Sequence, residues 1–240
     1  MDFYKYIDEI NLIKNQNNTE RDLYYLVKQT LEPYCRGLSL RIVAERRKSE
    51  LGQIFYGISS VPDIAILDRD FVNKQHYEIT GKNRDKLKGC IEVKNLGEKL
   101  YTLEELKEEF ENENVGTAAG QLAVEILWYK KLLYTNGKEW KLFTFKNSEK
   151  YDNEIIGIVE KRIKQEERIK QEERNEEYNW TKDTDIKQTV KDIFISDEKI
   201  EEKDKKIEEK RITKDCTKNW DEFIAEIKKI LTLLKRDDAP

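Results

Sequence analysis

The heptapeptide Gly89-Cys-Ile-Glu-Val-Lys-Asn95 decides the fold that we predict for this chain. Its residues alternate as in a β-strand, so Ile91 and Val93 point to one face and Glu92 and Lys94 to the other. A glutamate and a lysine on the same face, in a strand whose opposite face is apolar, form an acid–base pair at the edge of a core. The heptapeptide is therefore predicted to be a strand with a core face and a chemically active face.

A second strand is predicted upstream, at Val61-Pro-Asp-Ile-Ala-Ile-Leu67, with proline at its entry, where proline is tolerated. If the two strands pair with matched faces, Asp63 and Glu92 converge and Lys94 lies beside them. Two adjacent carboxylates repel each other, so the pKa of each rises unless a divalent cation neutralises them. Hard oxygen ligands suit Mg²⁺ or Mn²⁺, which activates bound water and stabilises charge on a phosphoryl group. The pair of strands thus favours metal-dependent phosphodiester hydrolysis, in which Lys94 orients the attacking water or contacts the scissile phosphate.

The rest of residues 1–150 predicts one α/β (α+β) domain in which helices flank a mixed β-sheet. A long helix between the third and fourth predicted strands acts as a crossover, which places helices on both faces of the sheet. The other predicted elements are a helix from Thr19 to about Leu31, a strand at Leu38–Glu45, a short acidic helix capped at Thr102, the crossover helix at Gly116–Leu133 and a strand at Trp140–Phe145.

The C-terminal third of the chain is much richer in Glu and Lys. Residues 151–215 are predicted to be a highly charged helical region, which includes a doubled Ile-Lys-Gln-Glu-Glu-Arg repeat at 163–174 and a charged helix at Glu198–Arg211. This region is either a solvated surface or an arm that binds a protein partner. Residues 216–240 form a predicted amphipathic helix that docks on the core, since Phe223, Ile227 and Leu231 recur at helical spacing.

The composition excludes several classes of function. The chain has 240 residues, 45 of them Lys or Arg and 49 Asp or Glu, and its only histidine is His76. A single histidine excludes a multi-histidine zinc site and argues against a Ser-His-Asp triad. Three cysteines without a C-x-x-C spacing indicate a reducing compartment, so we expect a cytoplasmic protein. The apolar runs are too short to span a membrane.

Pro62-Asp63 followed by Glu92-Val93-Lys94 resembles the PD-(D/E)XK nuclease superfamily over about residues 19–146. The resemblance implies a restriction-endonuclease-like core and a bound Mg²⁺ or Mn²⁺. It also implies the roles of individual residues: Asp63, Glu92, the Val93 backbone carbonyl and Glu20 as metal ligands, Lys94 as a catalytic residue, and Gln121 as a polar residue that the crossover helix presents to the site. Glu20 is equally well explained as an acid that the dipole favours in the first turn of a helix.

Two basic clusters are candidates for contacts with nucleic-acid phosphates. They are expected on loops near the site, although solvated loop charge is an alternative explanation. The residues are Arg46, Arg47 and Lys48 in the first cluster, and Lys82, Arg84, Lys86 and Lys88 in the second. Glu45 is expected to face solvent, with a carboxylate that supports the site as the alternative, and His76 is expected at the surface, with a general base as the alternative. Trp128 and Trp140 are expected in the core or at its edge, with stacking on a base as the alternative.

The function predicted from these residues is a metal-dependent DNA nuclease, specifically an endonuclease of restriction, repair or mobile-element type. Exonuclease-type members often carry Gln-x-x-x-Tyr on the crossover helix, whereas here Glu125 follows Gln121 at that spacing. The alternatives are a nuclease acting on RNA or branched DNA, and a catalytically silent module of the same fold that binds nucleic acid or protein. The complete set of Asp63, Glu92 and Lys94 favours catalysis. DNA is the expected partner, and a homodimer is left open.

Overall fold

A computed structural model describes residues 1–16, 18–44, 61–71, 84–112, 115–147, 153–158, 161, 168, 184–195 and 205–235. Within these residues six strands form one sheet, and their order in the sheet is their order in the chain. The strands are β1 (Leu38–Ile42), β2 (Ile64–Asp68), β3 (Leu87–Val93), β4 (Lys131–Thr135), β5 (Trp140–Asn147) and β6 (Lys205–Thr213). Strands β3 and β4 are parallel, and the other neighbouring pairs are antiparallel.

Helices pack on both faces of this mixed sheet, which confirms the predicted layering. The longer helices are α1 (Phe3–Gln16), α2 (Glu20–Leu31), α3 (Leu103–Glu111), α4 (Thr117–Tyr129), α5 (Thr184–Ile195) and α6 (Trp220–Lys235). One apolar core joins α1, α2 and α6 to the sheet, and the other joins α3, α4 and α5 to its opposite face. Among the described residues no helix is long and apolar enough to cross a membrane.

Helix α4 connects the parallel strands β3 and β4, as the crossover prediction required. The predicted helix was too long, however, because α4 ends at Tyr129 and the following Lys130 adopts a left-handed φ of 62°. Leu132 and Leu133 belong to β4, where they face opposite sides of the sheet and enter different cores. The apolar residues on either side of Lys130 and Lys131 are compatible with a buried helix or a buried strand, so periodicity alone does not show where one replaces the other.

The predicted charged helix at Glu198–Arg211 is wrong over its described part, because Lys205–Thr213 forms β6 and pairs with β5. Ladder hydrogen bonds along β5 outweigh the helix propensity of the Glu and Lys residues. On β6, Glu209 lies 3.2 Å (Oε1) from Nζ of the fully buried Lys141 on β5. Residues 151–215 are therefore not entirely helical, and one of their segments completes the sheet. Apart from Arg168, the repeat at 163–174 lies outside the described residues.

Helices α1 and α6 pack against one face of the sheet. Helix α6 buries one apolar stripe, which consists of Phe223, Ile224, Ile227, Ile230, Leu231 and Leu234. Burial of each such side chain contributes about 1.5–3 kcal/mol relative to exposure. Helix α1, which the sequence patterns did not predict, lies beside it, and its Tyr6 hydroxyl donates to the carbonyl of Gly137 in the β4–β5 turn. Gly137 adopts a φ of +86°, a left-handed conformation that favours glycine.

Candidate active site

Asp63 and Glu92 lie on neighbouring antiparallel segments and on the same face of the sheet. Ile64 pairs with Ile91 and Ala65 with Cys90, so this register brings Asp63, which directly precedes β2, opposite Glu92. Oδ2 of Asp63 accepts a hydrogen bond of 2.8 Å from the backbone N–H of Val93. The structure thus brings together the two carboxylates that the sequence paired.

Both carboxylates are almost inaccessible to solvent, with 1% of Asp63 and 3% of Glu92 exposed. Burial, followed by the nearby charge of Glu92, raises the pKa of Asp63 well above its usual value. Burial, followed by the charge of Glu125, raises the pKa of Glu92 to about 8. Ionising both groups at neutral pH is therefore unfavourable unless a cation compensates for their charge.

Lys94 follows β3 directly and neutralises part of this charge. Its backbone N–H donates to the Thr135 carbonyl on β4, at 2.8 Å, and its Nζ donates to Oε1 of Glu92 at 2.9 Å. Burial alone would lower the pKa of Lys94, but the carboxylate of Glu92 outweighs it and the net shift is upward. The ion pair in turn lowers the pKa of Glu92, yet burial and Glu125 outweigh that effect. Lys94 accordingly stays protonated.

Gln121 on α4 joins Glu92 to a third buried carboxylate. Its Nε2 lies 3.3 Å from Oε1 of Glu92 and 3.2 Å from Oε1 of Glu125. Glu125, one turn further along α4, is 1% exposed. The amide nitrogen of Gln121 must face both carboxylates, because its carbonyl oxygen has no hydrogen to donate. Sequence reasoning named Gln121 but not Glu125 as a site residue. The i,i+4 spacing of the two polar residues was the signal available for Glu125.

The two oxygens of Glu92 have different surroundings. Oε1 accepts from both Lys94 and Gln121, whereas Oε2 is buried and has no hydrogen-bond partner. A buried carboxylate oxygen without a donor is unfavourable, so this atom suits either a proton or a cation. Asp63 and Glu92 together provide the hard oxygen donors that Mg²⁺ and Mn²⁺ prefer.

The described part of the chain contains no group of three or more His, Cys, Asp and Glu side chains arranged to hold a metal ion. Asp63 and Glu92 alone would give a cation at this site two protein carboxylates. This number is ordinary for Mg²⁺, which commonly keeps several waters and takes one or two carboxylates together with substrate phosphates. The donor set fits Mg²⁺ or Mn²⁺ on that basis.

Two residues of α2 approach the carboxylates. Glu20 begins the helix and is half-buried, and its charge contributes to raising the pKa values of Asp63 and Glu92. Its assignment as a metal ligand stays a prediction, as does that of the Val93 carbonyl. Tyr24, one turn later and 6% exposed, shares a side-chain hydrogen bond with Asp63. Burial, followed by the charge of Asp63, raises the pKa of Tyr24, so its hydroxyl remains a donor.

The predicted basic clusters are only partly described. Arg46, Arg47, Lys48 and Lys82 lie outside the described residues, as do Glu45 and His76. Arg84 and Lys86 belong to a 3₁₀ turn that leads into β3, and Nζ of Lys86 donates to the carbonyl of Asp70 at 3.0 Å.

The predicted loop position of Lys88 is wrong, because Lys88 lies in β3 and is only 8% exposed. Its Nζ lies 3.9 Å from Oδ2 of Asp68. Lys88 is near the beginning of β3 and Glu92 near its end, roughly 13 Å apart at the usual rise of a strand. It is thus poorly placed to contact a phosphate at the carboxylates. Trp128 and Trp140 are buried in the core, as expected.

Comparisons of the chain with protein-family models, with curated proteins and with solved structures find no match.

Proposed function

We propose that this protein is a divalent-cation-dependent nuclease that hydrolyses phosphodiester bonds in DNA. The observation that carries the proposal is the arrangement of the buried carboxylates of Asp63 and Glu92 with the half-buried Lys94. Two carboxylates share one face of the sheet, a lysine ammonium lies 2.9 Å from Oε1 of Glu92, and Oε2 of Glu92 has no hydrogen-bond partner. This combination is expected where a hard cation and an anionic substrate meet.

Each residue has a chemical role in this proposal. Asp63 and Glu92 would hold Mg²⁺ or Mn²⁺, with the Val93 carbonyl as a further ligand. The cation, when bound, lowers the pKa of coordinated water and stabilises negative charge on the phosphoryl oxygens. Lys94 is protonated, since Glu92 raises its pKa. An ammonium group is a poor general base but a good partner for a phosphate oxygen, so Lys94 binds the scissile phosphate and stabilises its developing charge.

The order of the elements supports a nuclease over other cation-dependent hydrolases. Strands β1, β2 and β3 form an antiparallel meander, helix α4 crosses over, and β4 pairs in parallel with β3. This order resembles the restriction-endonuclease-like core that the Pro-Asp and Glu-Val-Lys motifs imply. The resemblance adds the substrate class, a nucleic acid, to the chemistry that the site itself supports.

Glu125 favours endonuclease activity within this class. Exonuclease-type relatives in the PD-(D/E)XK superfamily often place a tyrosine four residues after the glutamine of the crossover helix. Here that position holds a carboxylate that is 1% exposed and hydrogen-bonded to Gln121. The site therefore departs from the exonuclease pattern at the residue next to Gln121 on the helix face.

The proposal is tested by incubating the purified full-length protein with Mg²⁺ or Mn²⁺ and a panel of substrates. The panel contains linear, circular, single-stranded and branched DNA, together with single-stranded RNA. Nicking of circular DNA, abolished by EDTA, is the expected result and identifies an endonuclease. Preferential cleavage of RNA or of branched DNA would replace the substrate in the proposal but retain the chemistry. If no substrate is cleaved with either cation, the nuclease proposal is wrong.

A further inference from the structure

We propose that Glu125 is a positioning residue that orients Glu92 through Gln121 and thereby leaves Oε2 of Glu92 free to bind a divalent cation. This inference deepens the proposed function and rests on its cation site. Glu125 does not belong to the motif from which the site was predicted. It comes into contact with the site because α4 packs over β3 and β4.

The contacts of Gln121 show how Glu125 acts. The two hydrogens of its amide nitrogen have one carboxylate acceptor each, Oε1 of Glu92 at 3.3 Å and Oε1 of Glu125 at 3.2 Å. Without an acceptor at position 125, the amide nitrogen of Gln121 loses one of its two hydrogen bonds, so its present orientation is less strongly favoured over the rotated one. A rotated amide would present its carbonyl oxygen to Glu92, where two acceptors repel each other. Glu125 thus fixes which end of the amide faces Glu92.

The orientation of the amide determines how Glu92 is held. Oε1 of Glu92 accepts from Gln121 and from Lys94, and two donors converging on one oxygen restrict rotation of the carboxylate. Its other oxygen, Oε2, is buried without a hydrogen-bond partner. Gln121 and Lys94 therefore act together to keep one oxygen of Glu92 occupied and the other available.

The position of Glu125 in α4 supports a specific role. From Ala119 to Tyr129 every residue of α4 except Gln121 is buried, and Glu125 is the one charged residue among them. A buried carboxylate carries a substantial desolvation cost. Packing would be satisfied by an apolar side chain of similar size, so the cost indicates that the acceptor at position 125 contributes to the site.

The test measures Mn²⁺ binding to the full chain by isothermal titration calorimetry, which requires no cleavage activity. Glu125→Leu removes the acceptor and should weaken Mn²⁺ affinity about 10-fold or more, as is typical when a ligand loses its supporting hydrogen bond. Glu125→Gln removes the charge but keeps an acceptor oxygen, so it should bind Mn²⁺ nearly as tightly as the wild type. Glu104→Gln, which alters an exposed carboxylate on α3, is the matched control.

A double-mutant cycle tests whether Glu125 acts through Gln121. Gln121→Leu should weaken Mn²⁺ binding as Glu125→Leu does, and the double variant should bind no more weakly than either single variant, because the two residues form one unit. Thermal unfolding and circular dichroism of each variant show that it is folded.

Several outcomes overturn the inference. These are additive effects in the double variant, equal losses in Glu125→Gln and Glu125→Leu, an unchanged affinity in Glu125→Leu, and no measurable binding of Mn²⁺ by the wild type. The proposed function can fail separately. A protein that binds Mn²⁺ with the expected pattern but cleaves no nucleic acid keeps the role of Glu125 and loses the nuclease assignment. If the wild type cleaves DNA but Glu125→Leu binds Mn²⁺ with full affinity, the nuclease assignment is kept and the role of Glu125 is rejected.

Discussion

The carboxylate of Asp63 lies against the backbone of the strand that carries Glu92, because its Oδ2 accepts a 2.8 Å hydrogen bond from the N–H of Val93. A second donor, the hydroxyl of Tyr24, reaches the same carboxylate from helix α2. Asp63 is thus held from two elements that are distant in sequence. Supporting hydrogen bonds of this kind orient metal ligands and are expected to matter for cation affinity.

Tyr24→Phe should weaken Mn²⁺ binding, because it removes the hydroxyl donor to Asp63 and keeps the packing of the ring. We expect a loss of affinity of about 10-fold. The measurement is calorimetric titration of the purified variant with Mn²⁺. Tyr25→Phe is the matched control, since the neighbouring Tyr25 is 57% exposed. Equal affinities of the two variants would show that Tyr24 does not position Asp63.

The metal-free protein should lose stability as the pH rises from about 5 to about 8. The pKa of Glu92 is about 8 in the folded state and has an ordinary value of 4.5, so the folded state binds more protons than the unfolded state between these limits. The free energy of unfolding then falls with increasing pH, by up to about 1.4 kcal/mol for each pH unit and each such group. Asp63 acts in the same direction, because its pKa is raised as well.

Urea unfolding in EDTA at the two ends of this range measures that dependence. Glu92→Gln, which cannot ionise at position 92, should have a smaller pH dependence than the wild type, although Asp63, Glu125, Glu20 and Lys94 still face the site. Mg²⁺ should stabilise the wild type more at the higher pH, where protons leave the carboxylates. Stability that increases with pH over this range would contradict the raised pKa values.

The buried lysine of β5 should be important for stability. Nζ of Lys141 donates to the carbonyl of Tyr101 at 2.8 Å and lies 3.2 Å from Oε1 of Glu209. Lys141→Met leaves the half-buried carboxylate of Glu209 without its cation and removes the donor to the Tyr101 carbonyl, so we expect a loss of about 3 kcal/mol in the free energy of unfolding. The pair joins β5 to β6, and Oε2 of Glu209 also accepts from the N–H of Leu103 at the start of α3.

Lys210→Met is the matched control for this prediction. Lys210 also forms an ion pair, 2.7 Å from Oε2 of Glu226, but its side chain is 58% exposed. Exposed ion pairs contribute little, so we expect a change of less than about 1 kcal/mol. Similar urea-unfolding midpoints for Lys141→Met and Lys210→Met would show that burial does not strengthen the Lys141–Glu209 pair.

The parts of the fold that follow from local patterns were predictable from the sequence. A short apolar run with proline at its entry identified β2, and alternation of side chains identified β3; the register between them follows from matching their faces. Strand β4 was missed because only Lys130 and Lys131 separate the apolar residues of α4 from those of the strand, and the left-handed φ of Lys130 at the end of the helix is not evident from the sequence. Strand β6 was missed because its Glu and Lys residues favour a helix when taken alone, whereas pairing with β5 determines their structure.

The candidate site also combines residues that short sequence motifs identify with residues that tertiary packing adds. Asp63, Glu92 and Lys94 lie in two short motifs, and the structure brings these three residues together. Tyr24 and Glu125 act on that group from helices that pack against the sheet. Their contacts with the carboxylates depend on the packing of distant segments, and the i,i+4 spacing of Gln121 and Glu125 is the local signal for one of them.

We propose that Asp63 and Glu92 hold a cation that the nuclease reaction requires. The most direct test compares the nicking of circular DNA by the wild type and by Asp63→Asn. Asp63→Asn keeps the shape of the side chain and removes its charge, and Asp221→Asn, at an exposed position on α6, is the control. We predict that the wild type and Asp221→Asn nick DNA with Mg²⁺ or Mn²⁺ and are inert in EDTA, while Asp63→Asn is at least about 100-fold slower. Nicking by Asp63→Asn at the wild-type rate, or by the wild type in EDTA, would contradict the claim.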